Sequence, residues 1–380
     1  PQPQRNALEG MAERFRFSGD VRVRFEPILQ DLSPARYRAR VRVRFGVDGK
    51  LGEDFTGGLY LATGTVGDDP VSTNFTESQF FSRKAIGLDR GWITYHPHAA
   101  RWLELTGGKF AYTWERTPLT FDSDLNPEGF SEKVSFDFEH PFFKNLSVAG
   151  MQLWFNEAPG STLPFALGND SFAVGGQVGT RVRWRKGLTT NFTATALNWH
   201  NPDSIIQAFT AGTLAGNRNT NSTLGSGAAI AYASGFLYAA FQADTTVPTP
   251  WERFPARLLL NFVDNPRAAS DQRHGFWGEV QFGRLHNRND LQFGYGFARI
   301  EQDAVLAAFN ESEQRAPTNV VQHRIALQWL AQKNTTASFT GWIGRTLDRS
   351  LQNAALPAGL PANRKEPYVK RLQFDLTYRF

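Results

Sequence analysis

The chain has 380 residues, and its 41 Lys+Arg against 36 Asp+Glu give a formal charge of +5, a mild excess that falls short of the dense basicity of a nucleic-acid-binding domain. It contains no Cys, which excludes disulfide scaffolds, thiolate metal sites, thiol catalysis and haem attachment by the chain itself. Mean hydropathy is −0.40 and no apolar run reaches the roughly 20 residues of a spanning helix, but a polar average is also what a membrane barrel shows when only alternate residues face lipid.

Residues Pro1 to Glu13 are polar and read as a short periplasmic tail, followed by a single transmembrane barrel over residues 14–380. Alternation begins at once: Phe15, Phe17, Gly19, Val21, Val23 and Phe25 face one way, and Arg14, Arg16, Ser18, Asp20, Arg22, Arg24 and Glu26 the other. The next segment, RYRARVRVRF, puts Arg36, Arg38, Arg40, Arg42 and Arg44 at every second position. A helix would smear these arginines around its circumference, whereas a strand sends all five to one face and Tyr37, Ala39, Val41, Val43 and Phe45 to the other. Asp48-Gly49 supplies a tight-turn signal, and Phe55, Gly57, Leu59 and Leu61 mark a third strand.

The same pattern returns at Phe172, Val174, Val178, Val182 and Trp184 against Gln177, Arg181, Arg183 and Arg185, and again at Leu291, Phe293, Tyr295 and Phe297. The stretch Ala228 to Phe241, the nearest approach to a spanning helix, reads as a strand because Gly and Ser flank it. Short connections (Asp48-Gly49, Arg185 to Leu188, Ala331 to Asn334) alternate with long polar ones (Gly64 to Lys84, His200 to Leu224, Gln302 to Thr318, Leu347 to Lys365). This asymmetry is that of an antiparallel up-and-down transmembrane β-barrel. Strand starts near residues 14, 35, 52, 86, 102, 130, 145, 171, 189, 226, 255, 274, 290, 319, 335 and 367 give about 16 strands, an even number as single-chain bacterial barrels require.

In such a barrel the last strand closes on the first, so Arg371 joins Arg16, Arg22, Arg24 and the five arginines from Arg36 to Arg44 on one inner wall. Arg181 and Arg183 would line the pore from another strand. The stripe has two uses: it can favour anions, or it can brace the barrel against carboxylates such as Asp20, Glu26 and Asp375. The segment Tyr112 to Gly129 carries Glu115, Asp122, Asp124 and Glu128, and folded inward it would set an acidic constriction against the basic wall. Asp122, Asp124 and Asn126 imitate the start of a calcium loop, but Pro127 stands where that loop needs Gly and Lys133 where it needs Glu. His96 and His98 sit in an expected turn without a third ligand, so neither metal nor cofactor is expected. Nucleophile elbow, Walker and HExxH motifs are missing, and no catalytic role is assigned.

The chain ends RLQFDLTYRF, with Leu372, Phe374, Leu376, Tyr378 and Phe380 alternating, which resembles the terminal strand by which outer-membrane barrels are recognised for assembly. GGKFAYTWERTPLTFDSDLNPEGF (Gly107 to Phe130), LLLNFVDN (Leu258 to Asn265) and RIEQDAVLAAFNES (Arg299 to Ser312) resemble the Gram-negative putative porin family. That resemblance implies a water-filled outer-membrane barrel, in contact with the lipid bilayer and lipopolysaccharide and able to assemble as a homotrimer, and implies no particular solute; small hydrophilic solutes or anions are expected from the basic wall, and no nucleic-acid partner is expected because one would leave the aromatic faces unexplained. The other function class is a barrel sheath or anchor enclosing a partner protein such as a periplasmic cytochrome.

Overall fold

The computed structural model describes residues 14–67, 69–78, 80–157 and 170–380; the expected N-terminal tail lies outside them. Strands β1 (Phe15–Leu29), β2 (Arg36–Lys50), β3 (Phe55–Thr63), β4 (Ile86–Tyr95), β5 (Leu103–Lys109), β6 (Glu128–Asp137), β7 (Phe143–Asn156) and β8 (Ser171–Arg185) form the first half of the barrel. β9 (Leu188–His200), β10 (Phe236–Val247), β11 (Ala256–Asp264), β12 (His274–Gly283), β13 (Leu291–Ile300), β14 (Val320–Gln332), β15 (Thr335–Thr346) and β16 (Val369–Arg379) form the second. Each pairs antiparallel with its chain neighbour, and β16 pairs with β1 from Asp20↔Arg379 to Leu29↔Lys370. The result is the expected all-β closed barrel of 16 strands. The additional short strand Phe75–Thr76 pairs with β2 at Arg40 and Val41.

Closure follows from the alternation. A barrel satisfies its backbone between strands and leaves no open edge, which a hydrocarbon environment demands. Phe17, Val21, Val23, Phe25, Tyr37 and Phe45 lie exposed on the outside, while the side chains of Arg24, Arg38 and Arg42, on the opposite face of the same two strands, are 6%, 12% and 10% exposed. One face is suited to lipid, the other to an enclosed polar interior.

Two expectations need correction. Asp48 and Gly49 lie within β2, and the turn falls at residues 51–54, where Leu51 N and Gly52 N both donate to the Phe55 carbonyl at 2.9 and 3.2 Å. A Cβ at Gly49 would come 2.1 Å from the Arg14 carbonyl, so this glycine permits close strand approach rather than a turn. The tenth strand starts at Phe236 instead of near 226, because Gly225 (φ 70°) and Gly227 (φ 57°) turn the backbone. Residues before it form a small ribbon, Thr223–Leu224 with Ala231–Tyr232, after helix α1 (Asp203–Ala211).

The buried apolar residues are inside the barrel. Inward side chains such as Met151, Leu197, Trp199, Tyr238, Val263, Trp277 and Ile300 pack on Trp114, Leu119 and Phe121 from residues 110–127, and on Val305, Leu306 and Phe309 from residues 301–319. Because every strand is held by its neighbours around the circle, loss of structure is concerted. The unboiled protein is therefore expected to migrate on a denaturing gel as a compact species and to shift on boiling, with a strand-dominated far-UV spectrum beforehand. Identical mobility before and after boiling would contradict closure.

Candidate functional site

Register places arginine against arginine: Arg22 faces Arg42 and Arg24 faces Arg40 across β1 and β2. Like charges directly opposite repel, so this wall stands only with carboxylates between them. Strand carboxylates supply part: Asp20 is 2.9 Å from Arg42 and 2.7 Å from Arg44, Asp375 is 2.6 Å from Arg24, and Glu26 pairs with Arg38 and lies 3.5 Å from Arg371. Two loops supply the rest. Asp124 stands 3.6 Å from Arg42 and 3.7 Å from Arg44, while Glu313 stands 2.7 Å from Arg24, 3.4 Å from Arg371 and 3.9 Å from Arg40.

Arg22 differs from its neighbours. Its guanidinium donates to Asn74 Oδ1 at 2.5 Å and makes no ion pair among the described residues. Seven guanidiniums (Arg22, Arg24, Arg38, Arg40, Arg42, Arg44, Arg371) thus share this wall with five carboxylates (Asp20, Glu26, Asp124, Glu313, Asp375). Arg16 is largely exposed near the start of β1, 3.9 Å from Asp48, and Arg36 is exposed at the start of β2. Arg181 and Arg183 belong to β8, half the circumference away; Arg181 donates to Asn191 at 3.0 Å, and Arg183 is exposed.

Residues 110–127 reach strands that are not their chain neighbours. Glu115 exchanges two backbone-to-amide hydrogen bonds with Gln177 of β8, both 2.9 Å, and Thr117 Oγ1 donates to Asn261 of β11. Leu119 lies over Gly275 of β12, where a Cβ would meet its Cδ1 at 2.7 Å. Contacts to β2, β8, β11 and β12 together require a path through the lumen. The four acidic residues of this segment separate in function: only Asp124 meets the arginine wall. Asp122 accepts from Ser312 N and Asp124 N, both 2.7 Å, the exposed Glu115 lies on the β8 side, and Glu128 begins β6 and pairs with Lys109 at 2.8 Å. The reason is the chain's direction, since Pro118 to Phe121 cross to the far wall and only residues 122–126 return along β2 to β4. Asp122, Asp124 and Asn126 take different partners, Asn126 donating to Asp89 at 2.9 Å.

The larger surprise is residues 301–319, expected as a long polar loop. They are buried almost throughout, joined to the first loop by Asp122 N to Phe309 O at 2.9 Å and Gln314 Nε2 to Pro118 O at 2.7 Å. A buried loop must satisfy its backbone, and asparagines do this: Asn221 Nδ2 donates to Gln302 O and Val305 O (2.7 and 2.8 Å), its Oδ1 accepts from Ala307 N (2.8 Å), and Asn217 Nδ2 donates to Ala307 O and Asn310 O (3.1 and 2.5 Å). Phe309 stacks on Trp199 at 5.5 Å, and Phe121 lies 6.1 Å from the same ring. The signal in the sequence was AVLAAF, Ala304 to Phe309, an apolar run with no place in a solvated loop.

Where the two loops meet, acids crowd. Burial, then the Glu313 carboxylate, push Glu311 up to about 7 against the pull of Arg116, and burial, then Glu311 and Asp124, push Asp122 well above the usual carboxylate range. For Glu311 the protonated form is the one the fold favours. Its stabilising contribution is complete below the free value of 4.5 and is lost as pH rises through about 7. Acidifying from about pH 8 to about pH 5 is therefore expected to tighten the loop junction and lower single-channel conductance, and Glu311→Gln should flatten that response. Glu313, held low, is ionised throughout this window. A conductance that rises on acidification, or a response unchanged in Glu311→Gln, would contradict the assignment.

Among solved structures, the high-pH form of Pseudomonas putida OprB is similar with a TM-score of 0.57 at 10% identity, covering 99% of this chain and 96% of that one. Salmonella typhi OmpF in complex with daunomycin is similar with a TM-score of 0.52 at 9% identity, covering 96% and 97%. At such identities the likeness shows the fold alone. By sequence, no curated protein matches the chain. The profile of the family described as Putative porin matches residues 26–226, which include the arginine strand β2 and the whole of the first inserted loop. The chain belongs to that family, as an outer-membrane channel barrel.

Proposed function

We propose that the protein is a narrow diffusion channel for small hydrophilic solutes or ions that favours anions. Residues 110–127 and 301–319 act as its constriction, and the arginines of β1, β2 and β16 as its basic wall. The observation that carries this reading is the imbalance, among the described residues, of seven guanidiniums against five carboxylates on one inner wall, with no ion pair to Arg22. An excess of fixed positive charge in a confined, partly desolvated passage attracts anions and repels cations. Braced and selective are compatible here, since paired arginines hold the wall and the surplus sets its sign.

The barrel sheath reading fares worse. Large aromatic side chains and two loops of the chain itself fill the space that a cytochrome would need. Reconstitution into a planar bilayer separates the two: a channel gives discrete ohmic current steps without any added partner. A silent, correctly folded barrel would favour the sheath.

A further inference from the structure

On the outer face of the barrel one carboxylate is out of place. β6 sends Phe130, Glu132, Val134 and Phe136 outward, since Phe130 and Phe136 are exposed while the intervening Ser131 is buried. Glu132 is the fifth of the ten residues of this strand. A tilted strand needs about 9–11 residues to cross the hydrocarbon, so the carboxylate stands near mid-depth. Gln152 of β7 lies beside it on the same face, between the exposed Val148 and Trp154. Other outward acids among the described residues stand at strand ends, Glu128 opening β6 and Asp264 closing β11.

Gln152 Nε2 donates to Glu132 Oε2 at 3.0 Å, and among the described residues neither side chain makes another hydrogen bond. A carboxylate has about four acceptor sites, and hydrocarbon supplies neither water nor any other donor for the rest. An ionisable group held there is costly without a partner. One Gln152 N–H and most of the carboxylate are therefore left for another protein surface. The backbone beside them is open to one. Glu132 faces Gly150, Gly150 faces Gly176, Gly176 faces Ala196 and Ala196 faces Ala239, a shallow row running roughly 19 Å across five strands. A Cβ at Gly150 would come 2.6 Å from Glu132 Oε2, so this glycine lets the carboxylate lie over β7. The opposite wall is the reverse: the outward row Phe282, Phe293, Leu327, Phe339 and Phe374 is large throughout. In a membrane, close approach at small residues together with hydrogen bonds drives association.

From this juxtaposition we propose that the outer face of β6 to β10 packs on a second copy of the chain about a two-fold axis, with Gln152 of each copy donating to Glu132 of the other. The pair is its own complement, because each copy brings one spare amide N–H and one under-satisfied carboxylate. A head-to-tail ring would instead press this face on a different one, and among the described residues no other strand offers an outward mid-strand carboxylate and amide to meet it. The contact is thus isologous, unlike the homotrimer that the family resemblance implies. It depends on the barrel alone and is independent of the anion-favouring reading of the pore.

The test uses the full-length protein in lipid vesicles and in detergent. Because the chain has no Cys, a single substitution supplies the only thiol. Val148→Cys, outward and two residues from Gly150, should give a covalent dimer on copper-phenanthroline oxidation, whereas Leu327→Cys on the opposite wall should stay monomeric. Sedimentation of the unmodified protein should report a dimer, and Glu132→Leu should weaken it by about tenfold. The same variant should keep or raise the heat-shift midpoint of the barrel, since it removes a charge from the lipid face; a carboxylate that only braced β6 against β7 would lower that midpoint and leave the dimer alone. The inference requires all of these results. A monomer or a trimer by sedimentation, equal cross-linking from both cysteines, or a dimer indifferent to Glu132→Leu would overturn it, and each would leave the channel reading untouched.

Discussion

Replacing Glu313 with glutamine is expected to shift the reversal potential toward anions and to lower the temperature at which the barrel loses its compact gel mobility. Glu313 is the hub of the second loop: it meets Arg24, Arg371 and Arg40 at 2.7, 3.4 and 3.9 Å and also accepts from Gln373. Burial alone would raise its pKa, but Arg24, then Arg371, Arg40 and Arg22, hold it well below the usual carboxylate range. A depressed value means stability that is present above the free value of 4.5 and lost only in strong acid, so at neutral pH the carboxylate is fully charged. Removing one partner from a buried ion cluster typically costs about 3–5 kcal/mol, because the remaining charges stay buried and unpaired. Glu128→Gln, at an exposed pair with Lys109, is the control, with an expected effect of about 1 kcal/mol or less. If Glu313→Gln behaves like that control in both measurements, the second loop does not hold the basic wall.

The second large effect separates selectivity from bracing. Arg22→Gln is expected to reduce anion preference more than any other single arginine change while lowering stability little, since it removes a charge that has no carboxylate partner. Arg42→Gln should do the reverse. Its guanidinium is tied to Asp20 at 2.9 Å and Asp124 at 3.6 Å, so its loss leaves Arg44 alone to balance two buried carboxylates, costing about 3 kcal/mol, and loosens the first loop's hold on the wall. Reversal potentials in a potassium chloride gradient, paired with heat-shift midpoints, resolve the two. Equal effects on both properties from both variants would mean that charge surplus and scaffolding cannot be assigned to separate arginines.

The strand frame was legible because its signal is a period of two repeated along the chain. Fifteen strand starts fall within three residues of expectation, and the failure near residue 226 came from an apolar run, AAIAYASGF, which Gly225 and Gly227 just before it turn instead of extending. The arginine stripe was legible for the same reason. What alternation cannot convey is which loop carboxylate travels to which arginine, because inserted loops obey no period and their targets are set by three-dimensional closure. Asp122 and Asp124 are two residues apart, yet one turns to Ser312 and the other to Arg42. Glu313 lies far along the chain from Arg24, and only the return of β16 to β1 brings its loop over that wall.

The most direct measurement is the zero-current potential of the unmodified protein across a potassium chloride gradient, repeated from low salt to 1 M. A basic surplus on the lumen wall predicts discrete conductance steps and a potential of the sign given by chloride permeation. That preference should be strong at low salt and fade as the screening length contracts from about 30 Å at 0.01 M to about 3 Å at 1 M. A cation-selective potential, or a preference indifferent to ionic strength, would contradict the account.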